Sequence, residues 1–318
     1  MNSNPSHPGL KQGGSDQREL MLPVFGGEVL AAFAANVIMR DKHMVQTLAK
    51  GKEFRFPAVW RTSVSYHTPG TEITGNQIAH NEIVVTPDDK LITNVFVSDI
   101  DEILMHYQFR SQYAAELGIA LAEFYDANVI RRVVQSARGP ALFNGDQGGS
   151  TLTTANLDTD ATKLFDAVSA AKQTMEEKRV PVSSQPLHAL FRPAQWYLMA
   201  RSDKNLNRDF NGGSADLRRQ TLTTIDEVAI HKSVLAPFGT NDSANTELPT
   251  KYRADFTNTV GVVWTPMAAA TAEVQGLSTQ VVDQPHKQGT LLIGRLMVGT
   301  DPLRTKCAVE LAKPAAGG

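Results

Sequence analysis

Between residues 98 and 138 the chain holds one apolar stripe at helical spacing, and no other feature restricts its fold as much. Ile103, Leu104, Tyr107, Ala114, Leu117, Leu121, Phe124, Ala127 and Val134 keep the period of a single helix face. Ser98 or Asp99 caps the start, with Asp101 and Glu102 in the first turn. Arg131, Arg132 and Arg138 load the far end, where the helix dipole favours cations, and Gly139-Pro140 stops it. About 40 residues at 1.5 Å rise run roughly 60 Å. The mean helix in a globular domain has about 11–12 residues. This one is a strut longer than a small domain is wide.

A second feature is also extended. Over residues 54–66 the even positions are Phe54, Phe56, Ala58, Trp60, Thr62, Val64 and Tyr66, while Arg55, Arg61, Ser63, Ser65 and His67 fall on odd ones. Period-two alternation predicts a long half-buried strand, in which Pro57 requires an edge position or a bulge. Turn residues follow at Thr68-Pro-Gly-Thr71 and Gly75-Asn76, and residues 77–86 read as the returning strand. An isolated two-stranded hairpin is marginal in water. Its aromatic face needs a cover, from the rest of the chain or from a neighbouring subunit.

The remainder reads as a mixed α+β domain. Residues 1–20 are polar and rich in Gly, Pro and Ser, a composition that predicts disorder. A short helix is expected over 28–36, entered by a turn at Gly26-Gly27. A strand is expected over 91–97 and a loop over 141–160. A second amphipathic helix is expected over 162–179, with Leu164, Phe165, Val168, Ala171 and Met175 on its apolar face. Residues 187–191 read as a buried strand, and Pro193 opens a helix to residue 200. Residues 222–235, 260–264, 289–298 and 306–311 read as strands. Polar loops are expected over 203–216 and 239–255.

Charge and cysteine content exclude several classes. Lysine and arginine number 31 against 33 acidic residues, a net charge of −2 over 318 residues. That balance disfavours a dedicated nucleic-acid binder or a polybasic membrane-surface protein. A single cysteine, Cys307, rules out an intrachain disulfide and a cysteine-based zinc cluster. No signal peptide and no apolar span long enough for a membrane stands out, so a soluble, cytoplasmically made protein is expected.

Chemistry-bearing patterns are missing. There is no GxxxxGKS or GxGxxG loop, no HExxH, no GxSxG and no CxxC. The glycine-rich run 144–150 lacks the lysine and the strand–helix frame of a phosphate loop. His67 and His80 are placed to face each other across the hairpin, but two ligands without a carboxylate read as a solvated pair. Cys307 reads as an inert buried thiol, Asp99 and Asp101 as capping residues, and the pairs Arg131-Arg132 and Arg218-Arg219 as structural or interfacial. No catalytic residue, no metal site and no cofactor is expected. Parts that cannot bury themselves mark a subunit built for assembly.

The residues also resemble a known family. The run 24–33, His43-Met-Val45, Gly51-Lys52, Phe56-Pro57, Arg61-Thr62, Pro69-Gly70, the run 100–113 and Leu117-Gly118 are similar in order and spacing to the major capsid protein of autographivirus-type podoviruses. The run 294–304 with Ala308-Val309 resembles that family's closing strands, while 140–255 matches loosely. The resemblance implies the Hong Kong 97 fold of tailed-phage shells. Residues 1–49 then correspond to the N-arm and 50–90 to the extended E-loop hairpin. Residues 91–180 correspond to the P-domain with its spine helix at 99–138, and 181–284 to the A-domain. Residues 285–318 correspond to strands returning to the P-domain.

The implied function is the major capsid protein of a tailed double-stranded DNA bacteriophage. It associates as pentamers and hexamers in an icosahedral shell, assembled in the host cytoplasm. Phe54, Phe56, Trp60, Arg61 and Tyr66 of the hairpin are the expected inter-subunit contacts. The implied partners are other copies, a portal protein, a scaffolding protein and weakly held packaged DNA. A separate scaffold is expected because only residues 1–20 precede the ordered motif, where some relatives carry a fused scaffolding segment. The hairpin has lysines only near its base, Lys52 and Lys90, so a shell without covalent crosslinks is expected. The alternative is the subunit of an encapsulin-like compartment, which shares the fold and encloses enzymes.

Overall fold

The computed structural model describes residues 21–48, 51–98, 100, 109–202 and 224–315. Its axis is helix α2, Phe109–Ala137, of 29 residues, about 44 Å at 1.5 Å per residue. The cap expected at Ser98 or Asp99, and the first turn with Asp101 and Glu102, fall at or beyond the edge of the described residues. Ala114, Leu117, Leu121, Tyr125, Val129 and Val133 are buried along one face, and Ala122, Ile130, Val134 and Ala137 widen the stripe. A stripe that wide serves partners on both sides of the helix.

One partner is helix α1, Met21–Asn36. Gly26 and Gly27 lie inside α1, so the expected entry turn there is corrected. Glycine costs a helix interior about 1 kcal/mol, and Val29 and Phe33, buried against α2, offset it. The crossing is close at Gly118, where a β-carbon would sit 2.7 Å from the Val29 carbonyl oxygen. Beyond α1 the chain is tied back by Asp126, whose carboxylate accepts from the Ile38 and Met39 amides at 2.7 and 3.1 Å.

A four-stranded sheet packs on α2 in the order β1-β10-β11-β4. Its strands are β1 (Met44–Thr47), β10 (Ala269–Gln284), β11 (Gly289–Pro302) and β4 (Leu91–Ser98). Strand β10, 16 residues long, has no clear alternation, because its register against β11 shifts twice between Glu273 and Ser278. For that reason it was not expected from the sequence.

A six-stranded sheet takes the order β5-β12-β9-β6-β8-β7. Strands β6 (Leu187–Phe191), β9 (Thr259–Trp264) and β12 (Ala308–Ala312) are buried at every position. Such continuous apolar runs need cover on both faces. Helix α3, Ala161–Glu177, contributes Leu164, Val168, Ala171 and Met175 and is capped by Asp160. Helix α4, Pro193–Ala200, begins at its proline as expected. Strand β5 (Ser150–Thr153) lies inside the expected loop and pairs in parallel with β12. The single strand expected over 222–235 is two, β7 (Thr224–Ile225) and β8 (Val228–Lys232). They join through Asp226 and Glu227 at φ 49° and 66°, a two-residue turn whose twist matches the strands.

The sheets cut across the expected segments. The 284/285 boundary falls at the turn between two strands of one ladder. Strand β12 belongs to the six-stranded sheet, which also takes β5 and is covered by α3.

Candidate assembly surface

The hairpin is shorter as a ladder than its alternation predicted. Strands β2 (Phe54–Val59) and β3 (His80–Val85) pair from Phe54↔Val85 to Val59↔His80. Above Trp60, whose amide donates to the Ala79 carbonyl at 2.9 Å, no strand continues. Alternation reports a face meant for burial, and the described residues supply no cover there. Val64, Tyr66 and Ile73 are 94%, 106% and 80% exposed. His80 stands opposite Val59, so it does not face His67.

The five expected contact residues separate into two groups. Phe54 and Phe56 meet edge to face, with ring centroids 4.5 Å apart. They pack with Ile83, Val85, Leu48 and Leu303 over Ala270 and Ala272 of β10. The chain itself half-buries this root. Trp60 is also half-buried, stacked on Phe143 at 5.3 Å and 28°, with the Lys306 ammonium 5.7 Å from the ring centroid. Asn81 adds a hydrogen bond to the Leu142 carbonyl at 2.8 Å. Arg61 and Tyr66 are exposed.

A pocket of about 290 Å³ opens beside Trp60, and Arg61, Phe143, Arg179, Arg304 and Lys306 are among its walls. Lys306 pairs with Asp146 at 3.1 Å. Arg179 follows α3 in a left-handed conformation, φ 56°, the place where a helix commonly ends on glycine.

The hairpin's return leg is anchored by charges. The Thr86 amide donates to Asp301 at 3.0 Å, and Arg132 of α2 reaches the same carboxylate at 2.5 Å. Lys251 pairs with Asp88 at 2.6 Å, and the Tyr252 hydroxyl donates to Asp88 as well. Burial raises the Asp88 pKa, while the Lys251 and Tyr252 hydrogen bonds oppose it. At Gly299 a β-carbon would meet the Thr86 carbonyl oxygen at 2.1 Å, so only glycine lets the leg pass. Apart from Arg132, nothing in the sequence pattern singled out this set. Its members lie on α2 and on separate loops and strands, joined only by the fold.

The remaining candidates read as structure. Cys307 is buried, and burial pushes its thiol pKa up, the reverse of a reactive cysteine. Arg131 pairs with Asp242 at 2.9 Å, and Arg138 binds both oxygens of the buried Glu310. Arg218 and Arg219 lie outside the described residues. Among the described residues no cluster of three or more His, Cys, Asp or Glu side chains suits a metal ion. Nor is any helix there long and apolar enough to cross a membrane.

Comparison with known proteins gives one answer. The family described as "Gp10A-like: Major capsid protein" matches residues 55–312. The major capsid protein of Escherichia phage T7 is 34% identical over 161 residues, covering 50% of this chain and 47% of that protein. The chain thus spans about half the length of that curated relative. The capsid structure of the cyanophage P-SCSP1u superposes with a TM-score of 0.80 at 34% identity, over 99% of this chain and 100% of the other. The mature capsid of bacteriophage PhiM1 superposes at 0.75 with 17% identity, over 88% of each chain, a likeness of fold. A spine helix, a projecting hairpin and two sheets in the Hong Kong 97 arrangement, matched along nearly the whole sequence, place this chain in the Gp10A-like major capsid protein family.

Proposed function

We propose that this chain is the major shell subunit of a tailed double-stranded DNA bacteriophage. It associates as pentamers and hexamers into an icosahedral capsid and has a structural rather than a catalytic role. The end-to-end correspondence with a cyanophage capsid subunit carries the reading. The exposed hairpin above Trp60 supports it, because an extended segment whose Val64, Tyr66 and Ile73 are left uncovered by the described residues is suited to association.

In this reading residues 1–49 are the N-arm and 50–90 the E-loop. Residues 91–180 with α2 are the P-domain, 181–284 the A-domain, and 285–318 the strands returning to the P-domain. Phe54, Phe56 and Trp60 hold the hairpin root, while Arg61, Tyr66 and the tip meet a neighbour. Portal and scaffolding proteins are the assembly partners, and packaged DNA touches the wall weakly. Assembly proceeds in the host cytoplasm.

Negative-stain microscopy of the protein expressed alone and with its scaffolding partner tests this. Uniform closed shells that require the partner are expected. Dispersed subunits under both conditions would overturn the reading, and shells formed alone would favour an encapsulin-like compartment. Boiling in SDS should release single subunits. A ladder of linked ones would show covalent crosslinks.

A further inference from the structure

The arginines of this chain fall into two sets. Apart from three, every arginine whose side chain is described meets a carboxylate, a carbonyl oxygen, a side-chain amide or an aromatic ring, from Arg40 on Glu273 to Arg295 on Gln280. The three are Arg61, Arg179 and Arg304, and all of them line the pocket beside Trp60. Among the described residues no hydrogen bond, ion pair or ring contact engages their guanidinium groups. Lys306 is the fourth cation of the wall, and it already holds the wall's single carboxylate, Asp146, at 3.1 Å. Arg179 keeps its guanidinium here at φ 56°, a backbone conformation that glycine adopts without steric cost.

The chemistry of the wall selects a ligand class. Much of the rest of it is apolar, formed by Trp60, Leu142, Phe143, Pro181 and Met267. Its volume of about 290 Å³ lies at the small end of ligand pockets, which run roughly 300–1,000 Å³. The planar fork of arginine matches the oxygens of phosphate and carboxylate. Three unneutralised guanidinium groups favour a phosphate monoester, with about −1.5 to −2 charges at neutral pH, over a single carboxylate. Duplex DNA presents one charge per phosphate and keeps its bases stacked inside, so it would leave the apolar wall unused.

We infer that this pocket binds a small phosphate monoester with a flat apolar body. Arg179 and Arg304 take the phosphate, Arg61 adds a third positive charge to the wall, and the body lies on the apolar side chains. The site goes beyond the shell-subunit reading and does not depend on it. Trp60 and Arg61 belong to the hairpin, Phe143 to the loop after α2, Arg179 to the end of α3 and Arg304 to the turn after β11. A bound monoester therefore links the hairpin root to three segments of the body, and its occupancy restrains the hairpin.

Isothermal titration calorimetry of the full-length protein tests the inference, with phenyl phosphate, inorganic phosphate and a short DNA duplex at one fixed salt concentration. Phenyl phosphate should fill one site per subunit and bind about tenfold more tightly than inorganic phosphate. It should also slow limited proteolysis within residues 61–79 severalfold. Arg179→Gly and Arg304→Gln should each weaken its binding by about tenfold. Arg179→Gly should melt no lower than wild type, because glycine accepts that backbone conformation, so its loss of affinity cannot come from misfolding. No saturable binding of phenyl phosphate, equal affinity for inorganic phosphate, or wild-type affinity in both variants would overturn the inference. So would a duplex that displaces phenyl phosphate and loses its own binding in the same variants, which would assign these cations to DNA.

Discussion

Trp60 lies nearly parallel to Phe143, with ring centroids 5.3 Å apart, and through that contact the hairpin is fastened to the loop that follows the spine helix. A stacked aromatic pair contributes about 0.5–1.5 kcal/mol beyond the area it buries. Trp60→Ala should leave the subunit folded, with its far-ultraviolet spectrum unchanged. It should raise the rate of limited proteolysis within residues 61–79 severalfold and lower shell yield. Unaltered cleavage and normal shells would show that the stack does not position the hairpin.

Arg132→Met is expected to be far more damaging than its place on a helix surface suggests. Its guanidinium answers Asp301 at 2.5 Å and the carbonyls of Thr300 and Lys251 at 3.2 and 2.8 Å, and the Arg132 and Asp301 side chains are 14% and 12% exposed. Removing one partner of a buried pair costs up to roughly 3–5 kcal/mol, and here Lys251, 3.6 Å from Asp301, and the Thr86 amide offset part of that. Arg55→Ala breaks ion pairs to Glu53 and Glu82 that lie in solvent, and it should leave the denaturation midpoint in place. Equal shifts for the two variants would refute this ranking.

Asp126→Ala should loosen the connection behind α1. The part-buried amide of Ile38 and the buried amide of Met39 lose their acceptor, at up to about 1–3 kcal/mol each. Hydrogen exchange at those amides should quicken by up to the matching factor, and protection equal to wild type would count against the tie.

Acid should destabilise the subunit before it reaches the usual carboxylate range. Burial lowers the pKa of His43, His188 and His231 from 6.5 to about 4. His188 and His231 sit 3.2 Å apart, nitrogen to nitrogen. Between those pH values the unfolded chain binds protons that the fold refuses. The contribution is therefore complete above pH 6.5 and is lost as pH falls toward 4. Asp126 and Asp88 work the other way, since burial raises the pKa of both, that of Asp126 to about 6, but they are two groups against three. Urea midpoints should fall steadily from pH 7 to pH 5, and a flat profile would contradict these buried histidines.

The sequence showed the long helix, the buried strands β6 and β9 and the proline-started α4, because each has a local period or a local stop. It misjudged the elements whose conformation is decided by distant partners. Alternation over 54–66 was real, yet only 54–59 is paired, since a strand needs a neighbour as well as a pattern. Strand β10 escaped notice because two register shifts break its period. The arginines at the end of α2 looked like answers to the helix dipole. In the fold Arg131, Arg132 and Arg138 meet Asp242, Asp301 and Glu310, each more than a hundred residues away. Of the candidate surface, the alternation of 54–66 drew attention to Trp60 and Tyr66, though not to the stacking of Trp60 on Phe143. Arg179, Arg304 and Phe143 were not legible, because no local pattern brings three loops to one pocket.

Strand β12 lies between β5 and β9, so the strand synthesised last among the described residues is the one that joins the two. A nascent chain that has emerged as far as β9 still has two bare strand edges facing an empty slot. Contacts between residues so far apart in sequence form slowly. The six-stranded sheet therefore closes only when translation has passed residue 312. Until then the six-stranded sheet is unfinished, which separates the making of a subunit in time from its association with other copies.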